Sequence, residues 1–377
     1  MMTLPQLPPG TEPLVHQVAG HFYGRSKTKF GLLQRCSNGN VLKPLLNPPR
    51  GPREHKFYTH IFSANASSEL RALQPFLPQL LGTYEFDGMT YLELENAIRP
   101  YQCPCVIDIK LGRITYDQEA TPEKIERQIA KFEPAAEIGF QLLGWKSYQQ
   151  SDNSYIYHDK KCSRSLTKDE VLHGLAHFFG APERNIRGIV HKVLDRLYDL
   201  ERIMVKQFEF VFIASSLLII YEGKAQDSEA KADVRLVDFA HVFPSSSKNE
   251  PDENFLFGLR HCIKYLKMLL DENFHYTTIA KLDHETNSPS STSDYDLEEQ
   301  QKKPHAACDL LRYDLKMCLL ASDCCKLGHT PKECLSNEKL REFVPEECRR
   351  LAYTFFECKR SMIDMRARFR GRKGEIY

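Results

Sequence analysis

The chain lacks several features that would have assigned it quickly, and each absence excludes something. No apolar run is long enough to span a bilayer; the longest, Phe210 to Tyr221, is interrupted by Ser215-Ser216. The Pro-rich N-terminus has neither a basic region nor an apolar stretch after it, so no secretory signal is expected. There is no charge excess: 51 Lys+Arg stand against 50 Asp+Glu. Nothing global therefore points to nucleic acid or a membrane surface. No G-x-x-x-x-G-K-[ST] loop occurs, which argues against P-loop phosphate binding. No C-x2-C pair occurs, which argues against a zinc ribbon. Internal repeats are absent as well. The first 303 residues hold only five cysteines, at 36, 103, 105, 162 and 262, whereas seven crowd into Cys308 to Cys358. Sparse cysteines suit a reducing compartment; a dense cluster suits a disulfide or metal framework.

Length and a 42% apolar content allow two domains with a sizeable core. The charge is uneven: residues 304–377 hold 15 Lys+Arg against 11 Asp+Glu, and the remainder 36 against 39. Residues 1–13 are expected to be disordered, 14–282 to form one domain and 305–377 a helical, cysteine-rich module. Between them, 283–304 is rich in Ser, Asp, Glu and Gln and reads as a flexible linker, because it cannot bury a core.

Strands are expected at Val41 to Leu46, Tyr91 to Glu95, Val106 to Lys110 and Val234 to Phe239. Phe208 to Ile213 and Leu217 to Tyr221 read as a strand pair. Thr121-Pro122 starts a helix expected to reach about Leu143, with Thr as cap and Pro in the first turn. Thr167 and Glu170 form a capping-box pattern. Further helices are expected over Arg184 to Val205 and Phe255 to Leu270.

Two apolar strands end in charge: Pro104-Cys105-Val106-Ile107-Asp108-Ile109-Lys110-Leu111-Gly112 and Val234-Arg235-Leu236-Val237-Asp238-Phe239-Ala240-His241. Residues two apart on a strand share a face, so Asp108 and Lys110 point the same way. Two carboxylates and an ammonium in one cleft would suit phosphoryl transfer, although an apolar strand ending in Asp is also common in purely structural settings. Lys124, Gln128 and Lys131 follow i, i+4, i+7 spacing and share one helix face. That face is either solvated or built for a polyanion. The same choice applies to Lys160, Lys161 and Arg164.

Pro104, Asp108, Lys110 and Gly112, followed by Asp238-Phe239-Ala240-His241, resemble the signature of the inositol polyphosphate kinase family. His16 to His21, Pro48 to Glu54, Arg164 to Lys168 and Ser215 to Leu218 are similar to its multikinase branch, and the resemblance covers about 14–272. It implies an α+β, two-lobe kinase fold, ATP and Mg2+ as cofactors, and inositol polyphosphates as substrates. By residue, it implies Lys43 at the nucleotide phosphates and the backbone of Glu95 and Ala97 at the adenine. Asp108 would lie near the ribose and reacting phosphates, and Lys110 at the transferred phosphoryl group and the substrate. Asp238 would be the metal ligand. Lys124, Gln128, Lys131 and His241 would be substrate contacts. Arg127 departs from the usual Gln, and Asn96-Ala97 from the usual Asp-Val. The kinase part would then be a monomer in the cytoplasm or nucleus, without nucleic-acid or membrane-spanning function. An inositol hexakisphosphate kinase making pyrophosphates is the alternative within the class.

In the tail, Cys308 and Cys318 have nine residues between them, as do Cys348 and Cys358, and Cys324 and Cys334. One arrangement among fifteen is an antiparallel hairpin with Cys308–Cys358, Cys318–Cys348 and Cys324–Cys334 bridges, leaving Cys325 over. Cys318 to Cys324, Phe355 to Ser361 and Arg366 to Gly374 resemble the cytochrome c oxidase assembly factor 5 family of twin C-x9-C proteins. Phe343 to Glu347 departs from that pattern as a lengthened connection. The resemblance implies oxidase-assembly partners and the mitochondrial intermembrane space. Two compartments in one chain imply either a fusion or two neighbouring genes read as one. The absence of a recognisable processing signal in the linker favours the second. The reading from another class is then an oxidase assembly protein with the kinase region as passenger.

Overall fold

The computed structural model describes residues 7–23, 31–225, 229–247, 249–277, 279, 282, 315, 318–319, 322–326 and 331–363, with 326, 331, 332, 338, 341 and 357–363 by backbone alone. The chain divides into two compact units, Met1–Tyr295 and Asp296–Tyr377.

The first unit is α+β with two antiparallel five-stranded sheets. One contains β1 (Thr11–Pro13), β2 (Leu33–Arg35), β3 (Val41–Pro44), β4 (Leu80–Phe86) and β5 (Met89–Leu94), in the order β1-β2-β3-β5-β4. The other contains β6 (Pro104–Leu111), β7 (Phe140–Gln149), β8 (Ser154–His158), β10 (Ser216–Glu222) and β11 (Ala232–Val237), in the order β11-β10-β6-β7-β8. Strands β9 (Phe210–Phe212) and β12 (Val242–Pro244) pair separately.

Helix α1 (Arg50–Ile61) buries Glu54, Phe57, Tyr58 and Ile61, an i, i+3, i+4, i+7 stripe with a carboxylate at its head. Its entry needs Gly51, since a Cβ there would lie 2.0 Å from the Leu46 carbonyl oxygen. Then follow α2 (Ser68–Leu73), α3 (Pro122–Ala130), α4 (Ala135–Ile138), α5 (Lys160–Arg164), α6 (Lys168–Phe179), α7 (Arg187–Met204) and α8 (Glu253–Met268). The capping box opens α6 as expected: the Thr167 side chain accepts from the Glu170 N–H, and the Glu170 carboxylate from the Thr167 N–H. One continuous core joins α1, β5, β6, β7, β10, β11 and α6 to α8.

Three expectations need correction. The helix from Thr121 stops at Ala130 rather than near Leu143. Pro134 interrupts it, Gly139 turns left-handed at φ 77°, and Phe140 onward is a buried strand in the middle of the second sheet. The two strands around Ser215 do not pair with each other: β9 pairs with β12, and β10 lies between β6 and β11. Residues 11–13, assigned to a disordered end, form β1 against β2, and the Thr11 hydroxyl donates to the Pro8 carbonyl. The proposed linker 283–304 lies outside the described residues.

The second unit holds α9 (Asp323–Lys326), α10 (Pro331–Ser336), a 3-10 turn at Glu338–Phe343 and α11 (Glu346–Ile363). Its own small core contains Leu315, Leu319, Cys324, Cys334, Val344 and Cys348. Disulfides join Cys318 to Cys348 and Cys324 to Cys334. Cys308 and the Cys358 side chain lie outside the described residues. Val344, inside the lengthened connection, is 2% exposed and anchors that connection to the core.

Candidate active site

Strand alternation divides β6 cleanly. Cys105, Ile107, Ile109 and Leu111 enter the main core, while Val106, Asp108 and Lys110 share the opposite face. Across the register, Val106 faces Ile220, Asp108 faces Leu218 and Lys110 faces the small Ser216. Val106 and Ile220 join Val18 and Tyr157 in a separate apolar patch, edged by Phe22, Ala97, Ile98, Tyr101 and Leu218. Along this face the surface therefore changes from apolar at Val106 to charged at Asp108 and Lys110. Gly112 ends the strand at φ 102°, where a Cβ would also meet Asn254 Nδ2 at 2.6 Å; both facts require glycine.

Lys43, on β3, crosses to the charged end. Its Nζ lies 2.7 Å from Glu54 Oε1 and 2.6 Å from Asp238 Oδ1. Glu54 is wholly buried and also accepts the Phe239 N–H at 3.1 Å, so one carboxylate fixes both the lysine and the segment after β11. Asp238 itself is held at φ 66°, an uncommon backbone for a non-glycine residue, and Ser215 Oγ donates to its carbonyl. Its side chain keeps 45% of its surface open.

The charges act on one another. Burial pushes Asp108 up, and the nearby Asp238 carboxylate adds to this, to about 6. Burial brings Lys110 down to about 8, with Lys160 and Lys131 repelling its charge and Asp238 and Asp108 opposing them. Burial would raise Asp238, but Lys43 and then Lys110 outweigh it and bring it down to about 2. Burial would lower Lys43, but Asp238 and Glu54 outweigh it and raise it above its ordinary value. Among the described residues Asp108 Oδ1 is buried without a well-formed hydrogen bond, although the Ser216 hydroxyl opposite Lys110 lies near enough to act on the carboxylate.

Helix α3 is turned against its hydrophobicity. It buries no residue completely; its half-buried positions are Lys124, Ile125 and Gln128, with Lys131 at its C-cap, while Ile129 is 51% exposed. Arg127 lies on the exposed side. Asp117, 2% exposed, accepts from His241 Nδ1 at 2.5 Å and lies 3.7 Å from Lys124 Nζ. His241 is held below its ordinary value by burial, with Asp117 opposing. Arg53 braces the same corner, donating to both Glu119 oxygens at 3.0 Å and to the Ala240 carbonyl at 3.1 Å.

Lys43, Asp108, Lys110, Lys131 and Asp238 thus form one electrostatic group, and Asp117 links His241 to Lys124. Gln128 lies on the inward side of α3. Ala97 edges the apolar patch. Glu95 donates its N–H to the Gln79 carbonyl, and its carboxylate pairs with Arg235 at 3.3 Å. The sequence reading left Glu54 and Asp117 unassigned and Lys160 undecided between a solvated and a polyanion-binding face. Glu54 was legible as a charge at the head of an apolar helical stripe. Lys160, first residue of α5, acts on Lys110, Asp108 and His21. Asp117 left no periodic signal. Among the described residues, no group of three His, Cys, Asp or Glu side chains could hold a metal by itself. No described helix is long and apolar enough to cross a membrane.

A two-lobed α+β body with this cleft is the architecture of a known class of kinases. Residues 91–267 match the inositol polyphosphate kinase family, and 305–372 match cytochrome c oxidase assembly protein PET191. Inositol polyphosphate multikinase of Mus musculus is 37% identical over 236 residues, 62% of this chain and 59% of that protein. Inositol polyphosphate multikinase alpha of Arabidopsis thaliana is 30% identical over 277 residues, 68% of this chain and 94% of that protein. Inositol hexakisphosphate kinase 3 of Mus musculus is 30% identical over a shorter 220 residues. The crystal structure of the S. cerevisiae inositol phosphate multikinase Ipk2 with ADP and Mn2+ superposes with a TM-score of 0.50 at 25% identity, over 62% of this chain and 99% of that one. The chain belongs to the inositol polyphosphate kinase family. It spans about three-fifths of the mouse multikinase that it matches.

Proposed function

We propose that residues 14–282 catalyse ATP-dependent phosphorylation of inositol polyphosphates, as a kinase of the multikinase type. The observation that carries the substrate class is the inward polar stripe of α3. A helix that keeps Lys124, Gln128 and Lys131 half-buried while exposing Ile129 gains little in packing from that orientation, with Ile125 its one half-buried apolar side chain. The arrangement suits a ring bearing several phosphates, with His241 held by Asp117 on the same side.

The adenine would lie on the apolar patch around Val106 and Ile220, beside the backbone of Glu95 and Ala97. Lys43 would meet the nucleotide phosphates. Asp108 would face the ribose and the reacting groups. Asp238 would hold Mg2+ together with the nucleotide; the half-open carboxylate, ionised well below neutral pH, fits that hard cation. The bound metal supplies charge neutralisation on the transferred phosphoryl group. Lys110 would contribute positive charge at the same place. We assign the kinase part to the cytoplasm or nucleus as a monomer. The tail, beyond a linker at 283–304, is an oxidase-assembly-type module of the intermembrane space when it stands alone.

The test is product identification with the full chain, MgATP and a panel of inositol phosphates, alongside Asp238→Asn. Turnover by the parent and its loss in the variant are expected, with the variant still folded by circular dichroism and its thermal midpoint lowered by loss of the Lys43–Asp238 ion pair. Near-normal turnover by the variant at saturating magnesium would remove the metal assignment. Absence of inositol phosphate products from the parent would remove the whole reading.

A further inference from the structure

Among the described residues of the tail, Cys325 is the unbridged cysteine, and its position is chemically specific. Its Sγ lies 3.7 Å from Cys334 Sγ, which is already bonded to Cys324. Three sulfurs therefore occupy one corner of the second unit. Adjacent residues of α9 supply two of them, and α10 supplies the third. Cys324 and Cys334 are buried, at 0% and 3% exposed, whereas Cys325 is half-buried and reachable.

We propose that these three cysteines form an intramolecular thiol–disulfide exchange centre, in which the free thiol moves between Cys325 and Cys324. The Cys325 thiolate attacks Cys334 Sγ. The Cys325–Cys334 bond forms as the Cys324–Cys334 bond breaks, and Cys324 leaves as a thiolate that takes up a proton. The electron count is unchanged, so no external oxidant or reductant is consumed.

The energetics favour neither isomer strongly. The present bridge closes a separation of 10 residues and the alternative one of 9, so the loop-closure terms nearly cancel. A neutral thiol at Cys324 is a small apolar group and is tolerated in the core; a thiolate there is not, which drives its protonation. Exchange therefore swaps a reachable thiol for a hidden one. The centre switches the thiol reactivity of this unit without changing its oxidation state. This inference is independent of the kinase reading.

The test uses the full chain purified without reductant and held at about pH 8, where thiolate attack is fast. Samples are acid-quenched, alkylated with N-ethylmaleimide and mapped by tandem mass spectrometry. Two species are expected: a 324–334 bridge with label on Cys325, and a 325–334 bridge with label on Cys324. Their ratio should be independent of protein concentration. Cys324→Ser should form the 325–334 bridge and keep Cys318–Cys348, whereas Cys325→Ser should show the 324–334 bridge alone. Label confined to Cys325 in the parent overturns the proposal. So do two free thiols at Cys325 and Cys334 in Cys324→Ser, and so does a parent in which all three cysteines label.

Discussion

The opposed shifts of Asp108 and Lys110 make the pH dependence of the kinase a direct test of the site. Asp108, at about 6, must be ionised to accept at both oxygens, and Lys110, at about 8, must be protonated to offset phosphate charge. Falling pH protonates Asp108; rising pH deprotonates Lys110. The profile of kcat/KM reports the free enzyme, so it should be bell-shaped with a maximum near pH 7. One unit beyond each limb only about a tenth of the required form remains, so kcat/KM should fall roughly tenfold at pH 5 and at pH 9. The discriminating perturbation is Lys110→Arg. A guanidinium stays charged throughout this range. The variant should be slower at neutral pH, because its geometry differs, but its alkaline limb should disappear while the acid limb stays. The assay is initial-rate turnover of an inositol phosphate, with both substrates below saturation, from about pH 5 to 9.5. Lys110→Arg leaves the ionisation of both substrates unchanged, so loss of the limb in that variant assigns it to the protein. An alkaline limb that survives in Lys110→Arg would refute the reasoning.

Removing the partner of a buried ion pair costs about 3–5 kcal/mol. Glu54→Ala should lie at the low end of that range, ~3 kcal/mol by denaturant unfolding, because Asp238 still pairs with Lys43; it should also lose activity. A variant as stable as the parent would show that Glu54 does not clamp the segment after β11. Lys124→Ala and Lys131→Ala should raise KM for the inositol phosphate more than KM for ATP, and equal rises in both would count against the α3 assignment. Arg127→Gln, on the exposed side of α3, should leave the substrate profile nearly unchanged if contact decides preference; a shifted profile would show that Arg127 acts on the substrate. Deleting 283–377 should leave kinase rate and thermal midpoint nearly as they were, since each unit has its own core; a crippled kinase would make the tail part of the enzyme.

Much of the machinery was legible because it obeys local periodicity. Asp108 and Lys110 share a face through the two-residue repeat of a strand. The capping box at Thr167 depends on residues three apart. The inward stripe at Lys124, Gln128 and Lys131 survived even though its helix proved much shorter than expected. Helix length was the harder question: Phe140 onward is apolar enough for either a buried helix or a buried strand, and only pairing with β6 and β8 decides. For the same reason, β9 and β10 looked like a hairpin in sequence and found different partners in space.

The chain alone determined which residue types sit on one face of one element, because that depends on spacing and backbone repeat. It determined the division into two units as well, through composition and cysteine density. What it could not determine is which elements meet. Lys43 and Asp238 are 195 residues apart, and His241 and Asp117 are 124 apart. Their convergence depends on α1 packing its stripe into the core with Glu54 at the head, and on the backbone at Asp238 turning left-handed. The same holds for Cys325, a leftover thiol in the sequence, whose chemistry appears only when folding brings it within reach of the Cys334 sulfur. Charge and reactivity are properties of residues; distance and desolvation, which set their strength, belong to the tertiary structure.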